Sequence, residues 1–372
     1  MNERIKADVI GSMLRPQYLL DGRKLFREGK LSYPELKALE DRAVKEAVAI
    51  QERAGVDVVT DGEMRRAVFC HNFVDAVDGY QWNIPSNTVI WFDMQGKMIV
   101  DPVTVGVVDR IRKKRDISVE EFAFLRGVTD KPLKITIPSP TMLSYYFVLG
   151  ISNRVYLDTN EYLADVASIL KDGVAELARI GATYIQVDAP EFGMLLDPVQ
   201  QEWFAKKGLN PDTLVKKGVE LINSVLEGFP GTTGLHICRG NDKSRFMASG
   251  GYDKIAEIVF RKANVNRLLL EYDTDRAGDF SPLNHIPEDK VVVLGLVTTK
   301  TSRIETPEEL RTRIREASRY IPLERLALST QCGFASVAEG NAIDFETQFK
   351  KLKLVADVAK EVWGDFKRND DK

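Results

Sequence analysis

The chain has 372 residues, 44% of them hydrophobic, enough for one large domain or two to three small ones. Its net charge of −3 supplies no basic surface for nucleic acid, no apolar run is long enough to span a bilayer, and the opening MNERIKADVIGSM lacks the apolar core of a signal peptide. These features exclude nucleic-acid and membrane partners and predict a cytoplasmic protein, whose three cysteines are reduced and free to bind metal.

Short apolar runs recur along the chain, with helical segments between many of them. The first is Ala7–Ser12, followed by a helix from Ser32 to Ala54, in which Leu36, Leu39, Ala43, Ala47 and Ile50 fall at helical spacing and Ser32 serves as cap. Val56–Glu63 is the second strand and Leu133–Ser139 the third. A helix over Glu161–Ile180 precedes a fourth strand, Ala182–Ala189, and a helix over Pro211–Leu226, capped near Asn210, precedes a fifth, Thr232–Cys238. Tyr252–Lys262 is helical, Arg267–Asp273 is the sixth strand and Lys290–Val297 the seventh. A helix over Thr306–Tyr320, with Pro307 at its first position and Glu308 and Glu309 in its first turn, leads to the eighth strand, Arg325–Gln331. Phe345–Trp363 closes the chain as a helix.

Eight strands of buried type alternating with helices predict an α/β fold, a (β/α)8 TIM barrel forming one domain over residues 1–372. An open doubly wound sheet is the competing architecture, but no GxGxxG-type turn follows the first strand. Gln81–Arg126 breaks the alternation. Its two apolar stretches either side of Gln95 and Gly96 read as an antiparallel hairpin inserted after the second unit, as a lid or an oligomer contact.

Barrel chemistry sits at the C-terminal ends of strands. His236 and Cys238 end the fifth strand, Glu271 the sixth and Cys332 the eighth. In the HxC segment both ligand groups lie on one face, since side chains alternate along a strand. Two thiolates, an imidazole and a carboxylate suit four-coordinate zinc, with Glu271 the ligand that water or substrate replaces. Zinc keeps a bound thiol deprotonated near neutral pH, so the set points to alkylation of a thiol.

Glu63 and Asp188 are strand-end carboxylates suited to a substrate ammonium, or else to salt bridges within the barrel; Glu191 lies close by in sequence. Ile10, Gly11 and Ser12 end the first strand in a turn that either receives a substrate carboxylate or simply reverses the chain before Pro16. Cys70, next to His71, reads as a core or pocket-wall residue, and Arg276 as the partner of neighbouring aspartates.

With IGSMLRP, DGE at 61–63, IPSPTML, VDAPEF, LHICRGN, LLLEYD, GLVTTK and STQCGF in this order over nearly its whole length, the chain resembles the catalytic barrel of the cobalamin-independent methionine synthase family. The resemblance implies zinc on His236, Cys238, Glu271 and Cys332, and homocysteine held by the backbone near Ile10–Ser12 and by Glu63 and Asp188. It implies S-methyl transfer from methyltetrahydrofolate or another donor, giving methionine. Two departures bear on the donor: the full-length family has two barrels, and it carries a histidine after the seventh strand where this chain reads GLVTTKTS. Two other readings keep the zinc set. One is alkyl transfer to another thiol, as in the related epoxyalkane:coenzyme M transferase. The other is a structural zinc barrel without catalysis. A homo-oligomer is compatible with either.

Overall fold

The structure is a computed structural model that describes residues 5–364. An antiparallel pair comes first in the chain, β1 (Val77–Phe92) with β2 (Met98–Lys113). Six parallel strands follow: β3 (Ile135–Pro138), β4 (Tyr184–Asp188), β5 (Thr232–Ile237), β6 (Arg267–Glu271), β7 (Val291–Val297) and β8 (Leu326–Thr330). They lie side by side in that order, and every residue in them is buried, because helices cover one face and the barrel interior the other.

The two remaining staves are thinner than the sequence predicts. Ala7–Ser12 and Val56–Glu63 reduce to single parallel bridges, Ala7 with Leu328 and Val59 with Leu133. The hydrogen bonds nonetheless carry round from β8 to β3: Asp8 N–H to Leu328 O, Asp57 N–H to Ala7 O, and Lys134 N–H to Val59 O, each at 2.9 or 3.0 Å. The chain leaves both staves early because their polar ends, Gly11–Ser12 and Asp61–Glu63, turn over the mouth of the barrel. The result is the TIM-barrel architecture with a hairpin inserted after the second unit.

Helix boundaries follow the capping chemistry. Asn210 accepts from Thr213 N–H ahead of Pro211–Leu226, and Asp344 accepts from Thr347 N–H ahead of Phe345–Trp363, so both helices have the expected limits. In Thr306-x-x-Glu309 the Thr306 hydroxyl and the Glu309 carboxylate each cap the other's backbone N–H. The helix Tyr33–Ala54 ends on Gly55, whose φ of 88° only glycine adopts freely. Helices Gln17–Arg27, Val119–Arg126, Pro190–Met194 and Pro198–Lys206 have no counterpart among the predicted elements. Among the described residues no helix is long and apolar enough to cross a membrane.

The insertion begins at Val77 rather than Gln81, and its hairpin ends at Lys113; residues 119–126 are helical. The tip turns at Asp93–Lys97, where Asp93 accepts from Gln95 and Lys97 N–H and Gly96 takes a φ of 81°. The hairpin is fastened along its length. Asn87 donates to Tyr145 O at 2.6 Å, Trp203 to Thr88 O at 2.8 Å and Gln200 to Ile90 O at 3.0 Å. Near the tip, Phe92 and Phe246 exchange both backbone hydrogen bonds and stack their rings 5.6 Å apart.

Candidate functional site

Strand periodicity aims Lys134 and Thr136, then Tyr184, Gln186 and Asp188, then His236, into the barrel. The deep layer is polar. Lys134 donates to Asp8 at 2.8 Å and to Gln186 at 2.6 Å, Tyr184 donates to the other Asp8 oxygen at 3.0 Å, and Arg267 lies 3.4 Å from Asp8. Burial opposes charge on Asp8, but Lys134 and Arg267 hold its carboxyl below the ordinary range. Gln186 carries this layer to the mouth, where its Nε2 donates to Ile10 O at 2.8 Å and to Asp188 Oδ1 at 2.6 Å.

Above that layer is a cavity of about 100 Å³. Ile10, Ser12, Glu63, Asp188, His236, Cys238 and Cys332 all line it, so most of the sequence-predicted site residues meet in one place. The ligand atoms of His236, Cys238 and Cys332 lie within 4.8 Å of one another, and all three residues are buried. His236 pairs in register with Asp188 on the neighbouring strand. Its Nδ1 meets Leu269 O at 3.1 Å while Nε2 has no hydrogen-bond partner. With the proton assigned to Nδ1, Nε2 presents a lone pair toward the two thiols. One nitrogen and two sulfurs at a point, the nitrogen tied from behind and free in front, fit a zinc ion. The thiols already differ in acidity: Cys332 is held well below the ordinary thiol range by its contact with Cys238, aided by His236 and Lys300, while Cys238 is pushed up by Cys332 and by burial.

Glu271 stands apart from this trio. Its Oε2 accepts Arg239 N–H at 2.8 Å and its Oε1 lies 3.4 Å from Arg276, which also lies 3.8 Å from Asp273. Burial opposes ionisation of Glu271, yet Arg239, Lys300 and Arg276 hold its pKa below the usual value. Lys300 pins the loop after Cys238, donating to Gly240 O at 2.7 Å and to Asn241 Oδ1 at 2.9 Å. Asn241 in turn donates to Gly333 O at 2.8 Å, which locks the two cysteine loops together.

The carboxylates are held from behind. Glu63 sits at a φ of 55°, a left-handed conformation that non-glycine residues seldom adopt. Its Oε1 accepts from Thr136 at 2.8 Å, while Oε2 is buried without a partner. Burial pushes Glu63 up to about 7, and Asp188 up to about 6. Gly11 lies behind Glu63, and a Cβ there would come 2.7 Å from Glu63 Oε1. The Ile10 and Gly11 carbonyls accept from Gln186 and Thr60, and Ser12 O accepts from Phe334 N–H. Glu191 does not line the cavity. It is buried against Ser139 and Thr141, and burial pushes it up to about 7. Cys70 is fully buried, 3.3 Å from the Tyr146 hydroxyl, and burial pushes its thiol up to about 12.

The apolar wall of the cavity, Phe69, Trp91, Met142, Met247 and Val337, was not anticipated. Nothing local marks these residues as site residues, and Trp91 arrives on the inserted hairpin. Gln186, Thr136 and Lys134 did carry a signal: polar side chains at every second position of otherwise apolar strands that end in site residues.

Residues 6–361 match the family model described as the catalytic domain of cobalamin-independent synthase. YxjH of Bacillus subtilis (strain 168), an uncharacterized protein, is 34% identical over 362 residues, covering 96% of this chain and 94% of its own. A methionine synthase of Pyrococcus abyssi is 28% identical over 364 residues, with 96% and 94% covered. Among solved structures, a B12-independent methionine synthase from Shewanella sp. W3-18-1, in complex with selenomethionine, superposes with a TM-score of 0.75 at 23% identity, covering 97% of this chain and 99% of its own; at that identity it speaks for the fold.

Proposed function

Because the chain belongs to the cobalamin-independent methionine synthase family of methyltransferases, matching its catalytic domain over residues 6–361, we propose that it uses zinc to methylate the thiol of homocysteine. The observation that carries the reading is the meeting of His236, Cys238 and Cys332 within 4.8 Å, beside two buried carboxylates in one cavity. These three residues would hold zinc, with Glu271 as fourth donor once its carboxylate turns from Arg239 N–H and Arg276, and zinc when bound keeps a substrate thiol ionised near neutral pH. The methyl group comes from a second substrate, methyltetrahydrofolate or another donor, whose bond to it breaks as the thiol takes it; the remaining roles belong to the chain's own residues. Glu63 Oε2, buried and without a partner, receives the substrate ammonium together with Asp188. Gln186 aims the Asp188 carboxylate and Thr136 that of Glu63. Ser12 and the Ile10–Gly11 turn receive the substrate carboxylate. Phe69, Trp91, Met142 and Met247 keep water from the reacting sulfur. In this reading residues 1–372 form one domain, the hairpin is a fixed wall of the cavity, and the protein works in the cytoplasm.

The lining also weighs on the choice of acceptor. It contains two carboxylates and no Lys or Arg, which suits an ammonium-bearing thiol and disfavours a sulfonate such as coenzyme M. Zinc-edge X-ray absorption on the protein alone and with each thiol tests this. One added sulfur ligand with homocysteine only is the expected result, and the same gain with coenzyme M only would replace the acceptor. No added sulfur with either thiol would leave the structural-zinc reading. Cys238→Ser is expected to lose both zinc and methyl transfer; a variant with full zinc and full activity would sink the proposal.

A further inference from the structure

A second cleft, of about 930 Å³, opens between the helix Gln17–Arg27, the start of the helix Tyr33–Ala54 and the base of the hairpin. It shares no lining residue with the zinc-type cavity, and its size suits a ligand of several rings or a ring with a substantial tail.

Three aromatic side chains line it while facing solvent: Phe26, Tyr33 and Trp82, with 39%, 55% and 46% of their surface exposed. Trp82 is placed there by an irregularity in the hairpin. The β1–β2 register breaks between Trp82 and Asn87, and Asn83 takes a φ of 61°, the kind of bulge that re-aims a side chain. The Trp82 ring meets His71 edge-on, with centroids 5.1 Å apart. His71 lines the cleft yet is only 7% exposed, and its Nδ1 has no hydrogen-bond partner. Burial pushes its pKa to about 4, so the ring is neutral at physiological pH. A buried ring nitrogen without a partner is costly.

The charges in the cleft are unevenly spent. Arg23 is paired with Glu40, Arg65 with Glu40 and Asp41, and Arg66 with Glu121 and, at 3.6 Å, with Glu63. Glu120 is paired with Lys37. The remaining cations, Arg27, Lys114 and Arg115, outnumber the one lining carboxylate left to them, Asp75; Lys114 also lies 3.6 Å from Asp78 outside the cleft.

We propose that this cleft is a second binding site, for a planar aromatic anion whose ring stacks on Trp82 between Tyr33 and Phe26 and whose anionic group meets Arg27 and Arg115. Exposed aromatic faces beside guanidinium groups that outnumber their carboxylate partners recognise a flat ring with a negative substituent. A nucleoside monophosphate and an aryl carboxylate both have this chemistry.

Calorimetric titration of the full chain with AMP and with 4-hydroxybenzoate tests the proposal, with adenosine and 4-hydroxybenzyl alcohol as uncharged counterparts. At least one anion is expected to bind, at least roughly tenfold more tightly than its uncharged counterpart. Trp82→Ala and Arg115→Ala are each expected to weaken it by roughly tenfold. Binding of AMP alone identifies a phosphate ligand, and of 4-hydroxybenzoate alone a carboxylate. Trp82 and Arg115 are both exposed, so each variant is expected to keep the wild-type melting temperature, and Arg115→Ala reads the site even where Trp82→Ala disturbs the hairpin. The proposal falls if neither anion binds better than its uncharged counterpart, or if both variants bind as tightly as the wild type. The cleft adjoins the other cavity through Arg66, which lies 3.6 Å from Glu63, but the titration reads binding and not methyl transfer, so its failure leaves the proposed function standing.

Discussion

At Gly11 the backbone runs so close to Glu63 that a single methyl group has no room, the nearest carboxylate oxygen lying 2.7 Å from where a Cβ would be. Gly11→Ala is therefore expected to push Glu63 off its seat on Thr136 and, in the proposed function, to raise KM for homocysteine about tenfold or more while zinc content stays the same, since Glu63 is there proposed as an anchor and not as a metal ligand. Equal loss of zinc and of affinity would show that the turn supports the metal loops instead. Glu63 also sets a pH dependence. Burial raises its pKa to about 7, so below that pH it is mostly protonated and offers no charge to an ammonium. Homocysteine KM should fall as pH rises from about 6 to about 8, and Glu63→Gln should remove that part of the profile and leave the part that belongs to the thiol. An unchanged profile in Glu63→Gln would mean that Asp188 alone carries the ammonium.

The hairpin is the element that departs furthest from a plain barrel, and its attachment shows what it does. Trp91 reaches the cavity, and the next residue, Phe92, is bonded to Phe246 through both backbone groups and stacked on its ring. Phe246 lies in the same loop as Gly240, Asn241 and Met247, so the wall and the cysteine loop are one unit. Ring pairing of this kind is worth about 0.5–1.5 kcal/mol beyond the area it buries. Phe92→Ala is expected to raise deuterium uptake across residues 240–247 and at the hairpin tip, with the parallel strands unaffected. Unchanged uptake would mean that the other fastenings, at Asn87, Trp203 and Gln200, hold the hairpin by themselves. The six parallel strands were legible from their apolar runs, and the long helices from local caps such as Asn210, whereas shorter helices such as Pro190–Met194 and Pro198–Lys206 were not. The first two staves were the least legible: their apolar runs are real, but the polar ends turn away over the barrel mouth after one bridge each.

Taken as a whole, the barrel has a charged interior beneath its site. Lys134 and Asp8 are both fully buried, and Lys134 also holds Gln186, which aims Asp188. Removing Lys134 leaves Asp8 short of a counter-charge, so Lys134→Met is expected to destabilise the protein by about 3–5 kcal/mol in urea unfolding. A loss under about 1 kcal/mol would show that Tyr184 and Arg267 suffice for Asp8. The sequence by itself determined the alternation of strands and helices, and with it the barrel. It also marked His236, Cys238, Cys332, Glu63 and Asp188, because in a parallel barrel the strand ends converge and each of these residues announces its place through its own strand. It could not say which of the marked groups touch. Only the tertiary structure put Glu271 behind Arg239, apart from the His-Cys-Cys trio, set Gly11 against Glu63, brought Trp91 to the cavity wall, and opened the cleft between Trp82, Tyr33 and Arg115. Each of those contacts joins segments far apart in the chain, and their distances follow from how the elements pack, which no local pattern encodes.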